Sequence, residues 1–291
     1  MAPAGRTVPG ASWTAEERRG ALLHESARDP APADARTRAG ADHLALPVPA
    51  MKRVAPGWYA LPEGDEKTEL VRAMFDTIAP RYDLMNRVMT LGLDQRWRRR
   101  ALDALALPPG SVVLDLACGT GDLMRLGERR GLRMLGADLS LGMLRENRAL
   151  VPKAPVVQGD ASALGIASGT LDGVVCGYAL RNFTDLDGAL AEAGRVLRPG
   201  GRVAVLEVAE PPAGLLRTGH RIWFRHVVPA LGALLSDAAA YRYLPRSTAY
   251  LPGLPALRRS FGRAGFSTVG RQLLHGGLTQ LLTATRAGLG P

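Results

Sequence analysis

Acidic residues recur where strand-like runs end. Val113-Leu114-Asp115-Leu116-Ala117-Cys118-Gly119-Thr120-Gly121-Asp122 is an apolar run entering a glycine turn and then a helix. Glycines there let the backbone approach a ligand, and a helix start offers free N–H groups. A dinucleotide fingerprint needs a third small residue three positions beyond Gly121, where Met124 stands. The acids on both flanks, Asp115 and Asp122, repel a pyrophosphate and suit a ligand that carries positive charge. A second run, Leu135-Gly136-Ala137-Asp138, ends in a carboxylate placed to accept two hydrogen bonds from a ribose diol. A third, Gln158-Gly159-Asp160-Ala161, ends in one suited to an adenine amino group. A Gly-x-Gly after a strand is by itself a weak signal, as readily a tight turn as a site; three agreeing features at one sheet edge say more.

The elements that must position these residues follow from periodicity. Leu70, Val71, Met74, Phe75 and Ile78 recur at helical spacing, which predicts a helix over 66–78 ended by Pro80; the pattern repeats over 97–107 before Pro108-Pro109-Gly110. Short apolar runs at 111–116, 132–137, 155–158, 171–176 and 202–207 then alternate with helical stretches at 121–130, 141–150 and 186–197, the mark of βαβ units and a parallel sheet. Two last strands, about 266–273 and 278–285, join through His275-Gly276-Gly277 as a hairpin. The expected fold is α/β: a mostly parallel seven-stranded sheet, a terminal antiparallel hairpin, and a helical insert before it. Residues 1–50 lack periodicity and read as a disordered extension, with Met51 a candidate true start. The expected divisions are 51–110 as an N-terminal helical lid, 111–210 as the cofactor-binding core, 211–262 as a helical insert facing substrate or membrane, and 263–286 as the strands completing the sheet.

The turn glycines and the acids ending strands two and three resemble the class I S-adenosylmethionine (SAM) methyltransferases, whose fold is Rossmann-like. The flanks narrow the resemblance. Tyr82-Asp83-Leu84-Met85-Asn86-Arg87 precedes the core, and Leu180-Arg181-Asn182-Phe183-Thr184-Asp185 follows strand four. Arg198-Pro199-Gly200-Gly201, Leu206-Glu207, Tyr241-x-Tyr243-Leu244-Pro245-x-Ser247, Ala264-Gly265-Phe266 and Gly276-Gly277 come later in order. From about residue 70 to 286 the chain is similar to the UbiE/MenG/COQ5 family of quinone C-methyltransferases. The resemblance implies SAM-dependent methylation of a ring carbon on a prenylated quinol, with demethylmenaquinol the favoured substrate and another phenolic or polyketide-like small molecule the alternative acceptor. Asp115, Gly119, Thr120, Gly121, Asp138, Asp160 and Ala161 are then expected at the cofactor, and no metal. The chain departs from the family at Thr90 and Asp94, where a serine and a histidine are usual. It departs again at Gly177, at Leu251, and at Thr279 and Gln280 after the double glycine.

Ring methylation needs a nucleophilic carbon, and a quinol carbon becomes one when the neighbouring hydroxyl is deprotonated. A site for it requires a base or a cation that stabilises the phenolate. Arg181, just past strand four, is the candidate cation; Asn182 is placed to orient a ring hydroxyl, and Tyr82 and Asp83 to close the pocket. The alternatives are structural: Arg181 paired with Asp185 or capping a helix, Tyr82 packed in the core, Asn182 as a helix cap, Cys118 as a small core residue, Glu207 as an edge residue.

Net charge is +10, but only three of 37 basic residues are lysines, so part of it reflects an arginine-rich composition. Residues 211–291 nonetheless hold ten arginines against Asp237 alone, which invites an anionic partner. Nucleic acid is disfavoured, because stacking aromatics are not interleaved and no Asn-Pro-Pro-Tyr motif follows strand four. Residues 215–235 mix Arg217, Arg221 and Arg225 with Leu, Ile, Trp and Phe, as a membrane-surface helix or an apolar-faced lid does. No apolar run reaches the ~20 residues of a span. The expected setting is cytoplasmic, peripheral on the inner face of the plasma membrane, with the isoprenoid tail left in the bilayer and oligomeric state open.

Overall fold

The computed structural model describes residues 62–228, 230, 231, 243 and 246–288, and the backbone of 53–55 and 58–59. The expected extension over 1–50 and the tail of the 215–235 segment lie outside the described residues. An antiparallel ribbon, β1 (Arg53–Ala55) with β2 (Trp58–Tyr59), precedes three helices: α1 (Gly64–Ile78), α2 (Tyr82–Thr90) and α3 (Leu93–Leu105). The core follows as β3 (Val112–Leu116), α4 (Asp122–Glu128), β4 (Arg133–Asp138), α5 (Leu141–Leu150), β5 (Val156–Gln158), β6 (Leu171–Gly177), α6 (Leu186–Val196) and β7 (Leu197–Val208). After α7 (Leu215–Ile222), which runs on as a π-turn over Trp223–Val227, come α8 (Leu254–Arg263), β8 (Phe266–Leu274) and β9 (Thr279–Arg286).

The seven strands lie in the order β5-β4-β3-β6-β7-β9-β8. The first five are parallel, and β9 runs antiparallel to both β7 and β8. Chain order reverses at β3, which has β4 on one side and β6 on the other, so a crevice opens beyond the carboxyl end of β3. Helices cover both faces. On one, Leu190 and Val196 of α6 and Leu257 and Phe261 of α8 pack against Val174, Val203 and Leu282. On the other, Trp97, Ala101, Leu102 and Leu105 of α3 join Met124 against Val113, Val175 and Leu206. Burying each such large side chain fully contributes about 1.5–3 kcal/mol. Among the described residues no helix is long and apolar enough to cross a membrane.

Two features were not anticipated. Residues 82–90 form a helix of their own, entered through a 3-10 turn over Ala79–Arg81 that Pro80 can join because its fixed φ suits a first helical turn. And α3 belongs to the sheet's core, so only α1 and α2 form the cap expected of residues 51–110. That cap has its own apolar cluster of Leu70, Val71, Met74, Ile78 and Met85, which Met143 of α5 joins.

Candidate active site

The cap is fastened over the crevice by polar contacts. Lys67 Nζ donates to the Phe183 carbonyl at 2.7 Å, and the Thr68 and Thr184 hydroxyls share a hydrogen bond of the same length. Asp76 Oδ1 accepts from Ser140 Oγ at 2.6 Å and from Gly142 N at 2.8 Å, tying α1 to the start of α5, which Ser140 caps. Beneath this cap lies a cleft bordered by Gly119 of the glycine turn, Asp138 of β4, Asp160 and Ala161 beyond β5, and Asn182 and Phe183 beyond β6.

Asp138 is clamped at the border of the cleft. Its Oδ2 accepts from Gly119 N and its Oδ1 from Ser140 N, both at 2.8 Å, which fixes the carboxylate in place. Burial raises its pKa, and the backbone N–H bonds oppose that. Gly119 has φ +52°, and a Cβ added there would meet only Tyr82 and Met143, each at 4.0 Å, so its open side faces the cleft. Asp160 is oriented by Ser162, whose N and Oγ donate to its Oδ1 at 2.8 and 2.7 Å. A clamped acid for a diol, a second acid at the next strand end and a bare backbone between them fit the nucleoside of SAM.

Three expected cofactor residues sit elsewhere. Gly121 (φ +88°) meets packing, not the cleft: a Cβ there would fall 2.8 Å from Val151 and 2.9 Å from Asn147. Thr120 is buried, and its hydroxyl donates to Asp83 at 2.5 Å. Asp83, expected at the pocket mouth, therefore bonds the cap to the glycine turn, with Arg125 as its second partner at 3.2 Å. Asp115 lies buried in β3 with no hydrogen-bond partner on either oxygen, and burial raises its pKa well above the ordinary carboxylate range. Native Asp115 thus binds its proton more tightly than the unfolded chain does, so its contribution to stability is present at low pH and lost as pH rises past the unfolded value, about 3.9. Asp115→Asn is expected to raise stability at pH 8 by about 1–3 kcal/mol, with the gap narrowing toward pH 4. Urea midpoints that coincide at pH 8 would refute this.

Asp122, read as a flank of the glycine turn, is the hub of an ionic cluster. It accepts two bonds from Arg87 at 3.0 Å and one from Arg125; burial would raise its pKa, but these bonds and the charges of Arg98, Arg87 and Arg125 hold it low. Thr90 and Asp94, two departures from the family pattern, touch each other: Thr90 Oγ1 donates to Asp94 Oδ1 at 3.0 Å, while Arg87 donates to Asp94 Oδ2 at 2.8 Å. Among the other departures, Thr279 Oγ1 donates to the Glu207 carbonyl at 2.8 Å, and Leu251 packs against the α6 side of the core.

A second, apolar cavity of about 600 Å³ adjoins the cleft. Phe75, Tyr82 and Tyr178 border both, so they form the common wall. Phe75 and Tyr82 meet edge to face at 5.9 Å, which makes Tyr82 at once a packed residue and a pocket wall. Arg181 borders the apolar cavity from a buried position. Its partner is Glu207, not Asp185: Nη1 donates to Glu207 Oε1 at 2.5 Å and to the Tyr178 carbonyl at 2.7 Å, and Nε donates to Ser247 Oγ at 3.1 Å. Asp185 instead caps α6 through Gly188 N, so Asn182 is not the cap; its Oδ1 accepts from the Tyr243 hydroxyl at 3.4 Å. Cys118 is buried, its thiol pushed up by burial, as the core reading had it. Sequence reasoning missed the pairing of Arg181 with Glu207, although both stand at the carboxyl ends of the neighbouring strands β6 and β7.

The profile of the ubiE/COQ5 methyltransferase family matches residues 63–286. Demethylmenaquinone methyltransferase of Thermus thermophilus is 44% identical over 201 residues, 67% of this chain and 91% of that protein. Ubiquinone/menaquinone biosynthesis C-methyltransferase UbiE of Syntrophotalea carbinolica is 40% identical over 225 residues, 74% and 94% of the two chains. Among solved structures, a SAM-dependent methyltransferase from Thermotoga maritima superposes with a TM-score of 0.52 at 18% identity, over 74% of this chain and 99% of that one. Phosphoethanolamine N-methyltransferase 2 of Haemonchus contortus, in complex with SAM, gives 0.50 at 15% identity, over 66% and 53%. These likenesses establish the class I methyltransferase fold.

Proposed function

Because the chain belongs to the ubiE/COQ5 methyltransferase family, we propose that it methylates a ring carbon of demethylmenaquinol, using SAM held in the cleft at Gly119, Asp138, Asp160 and Ala161. The observation that carries this reading is the shared wall: a clamped-acid cleft and an apolar cavity have Phe75, Tyr82 and Tyr178 in common. Bound there, SAM supplies a methyl group already activated by its sulfonium. The protein's task is to present the ring, keep water out and favour the ionised hydroxyl.

The residues divide that task. Apolar walls from α1, α2 and α7 exclude water around the ring. Arg181, held rigid by Glu207, Ser247 and the Tyr178 carbonyl, presents its guanidinium along the wall as the donor to a ring oxygen. Asn182, on the cofactor side, is positioned by Tyr243.

The mouth of the cavity suits a lipid tail. Leu91 and Leu215 both border the cavity, yet are 79% and 93% exposed. Arg217 and Arg221 of α7 pair with Glu210, so the helix's pull on an anionic leaflet is weaker than its arginines suggest, and apolar contact leads. In this reading the protein works at the inner face of the plasma membrane. Leu215→Asp is expected to weaken binding to phosphatidylglycerol vesicles at least tenfold, about the value of one fully buried leucine. Equal sedimentation with vesicles by both proteins would count against the mouth.

The deciding experiment is incubation with SAM and either demethylmenaquinol or its demethylated benzoquinol counterpart, read by mass spectrometry. A methylated naphthoquinol is the expected product. Absence of methylation on both quinols would refute the reading.

A further inference from the structure

We propose that Arg98 is a second cation of the quinol cavity, which lowers the pKa of the ring hydroxyl and so favours the ionised, nucleophilic ring. The inference rests on the reading of the cavity as the quinol site. Three observations carry it. Arg98 is buried on α3 and borders the apolar cavity, where a charge is costly unless it has something to meet. Its guanidinium carbon lies 5.6 Å from the centre of the Tyr178 ring, part of the wall between cavity and cleft, so the charge sits near the junction where a methyl acceptor must be presented. And its ion pairs are long: Nη1 is 3.5 Å from Asp94 Oδ2, while Nε is 3.4 Å from Asp122 Oδ2 without hydrogen-bond geometry. The same carboxylates are engaged by Arg87 at 2.8–3.0 Å and by Gln95 at 3.0–3.1 Å. Asp94 and Asp122 are thus shared among Arg98, Arg87 and Gln95, and Arg98 has the longest contacts of the three, whereas Arg181 holds Glu207 at 2.5 Å.

The backbone supports the placement. Tyr178 is a non-glycine residue at φ +65°, a left-handed conformation that residues with a side chain rarely adopt. Such strain persists only where surroundings over-determine it, and it gathers at functional sites. Here the peptide and ring are held by the Tyr178 N–H bond to the Leu206 carbonyl at 2.8 Å and by contact between the Tyr178 and Thr279 hydroxyls at 3.3 Å.

The titratable groups facing Arg98 are Asp94 on its own helix, Asp122 on α4, Asp115 on β3, Tyr82 on α2 and Tyr178 after β6. Tyr82 and Tyr178 are both held above the ordinary phenol value by burial, so they stay neutral. When the quinol hydroxyl ionises, its proton passes to solvent at the cavity mouth; the oxygen keeps the electron pair and delocalises it into the ring.

The test uses the full chain and a chromogenic naphthol, 4-nitro-1-naphthol, whose anion absorbs in the visible. Arg98→Met removes the charge, and Arg98→Met with Asp94→Asn keeps the buried ionic cluster balanced should the single variant fold poorly. Arg98→Lys restores a cation. Bound to the wild type, the probe is expected to ionise about one pH unit lower than when bound to Arg98→Met, a tenfold change in its acidity, with the lysine variant between the two. The double variant, which also loses the Asp94 charge at the cavity wall, is expected to shift from the wild type in the same direction by less. The acidic limb of the methyl-transfer pH profile is expected to move upward with it. A bound probe that ionises at the same pH in all the proteins would overturn the role of Arg98. Probe ionisation is read without SAM or turnover, so lack of quinol methylation in the wild type would count against the proposed function alone.

Discussion

Asp138→Ala is expected to lower SAM affinity by about 100-fold to 10,000-fold, with the fold intact. A carboxylate at this strand end accepts both hydroxyls of a ribose, and hydrogen bonds to a charged group are worth about 1.5–3 kcal/mol each. The substitution also removes the acceptor of Gly119 N and Ser140 N, loosening the turn that carries the ligand's bare backbone and the N-cap of the helix that follows. Titration calorimetry decides the point, and unchanged affinity would end the assignment of the cleft. Affinity should also depend on acidity. The ionised form accepts the diol, and burial raises the pKa of Asp138, so affinity should begin to fall at a higher pH on acidification than an ordinary aspartate near 3.9 would give. Asp160→Ala should cost less: Asp160 is exposed, where water competes for the same hydrogen bonds.

The difference between those two residues and the other expected ligands shows what a sequence reveals. That Gly119, Asp138, Asp160 and Ala161 border one cleft was legible because topology puts the carboxyl ends of parallel strands on one edge, so a residue at a strand end is located by counting alone. The seven strands were legible for a related reason, since buried parallel strands are short apolar runs between turns. Direction was not legible. Asp115 sits one residue before the end of β3 and belongs to the sheet interior. Thr120 sits in the turn itself, but its hydroxyl faces a helix that begins 38 positions earlier in the chain. The helix over 82–90 was hidden by Pro80, which reads as a stop although it occupies the first turn of the next helical segment. The cluster of Arg87, Arg98 and Arg125 with Asp83, Asp94 and Asp122 joins α2, α3 and α4; each charge alone reads as surface, and only the fold buries Asp94, Arg98 and Asp122. Thr90 and Asp94, two departures from the family pattern, prove to be mutual partners within that cluster and wall residues of the apolar cavity.

Arg181→Ala is expected to act twice, and the two effects can be separated. Glu207 has no exposed surface, and Arg181 is its only salt-bridge partner among the described residues. Removing one member of a buried pair costs about 3–5 kcal/mol, because the remaining charge is left without compensation. For a domain of this size that is a fall of about 6–20 °C in melting temperature. A loss of turnover in the single variant would therefore say little about chemistry. Arg181→Met combined with Glu207→Gln removes both charges and should recover most of the stability, as replacement of buried ion pairs by neutral groups often does. If Arg181 serves only to satisfy Glu207, activity returns with stability. If its guanidinium also faces the ring oxygen, the double variant melts near the wild type, binds SAM normally and still transfers methyl at least about 100-fold more slowly, the scale of losing one preorganised donor. The second outcome is expected, because a pair whose sole task is packing has no need to border the cavity, whereas a guanidinium fixed at Nε and Nη1 is already oriented before substrate arrives. Wild-type turnover in the stable double variant would return Arg181 to the architecture of the β6–β7 edge and leave Arg98 as the remaining candidate cation for the quinolate.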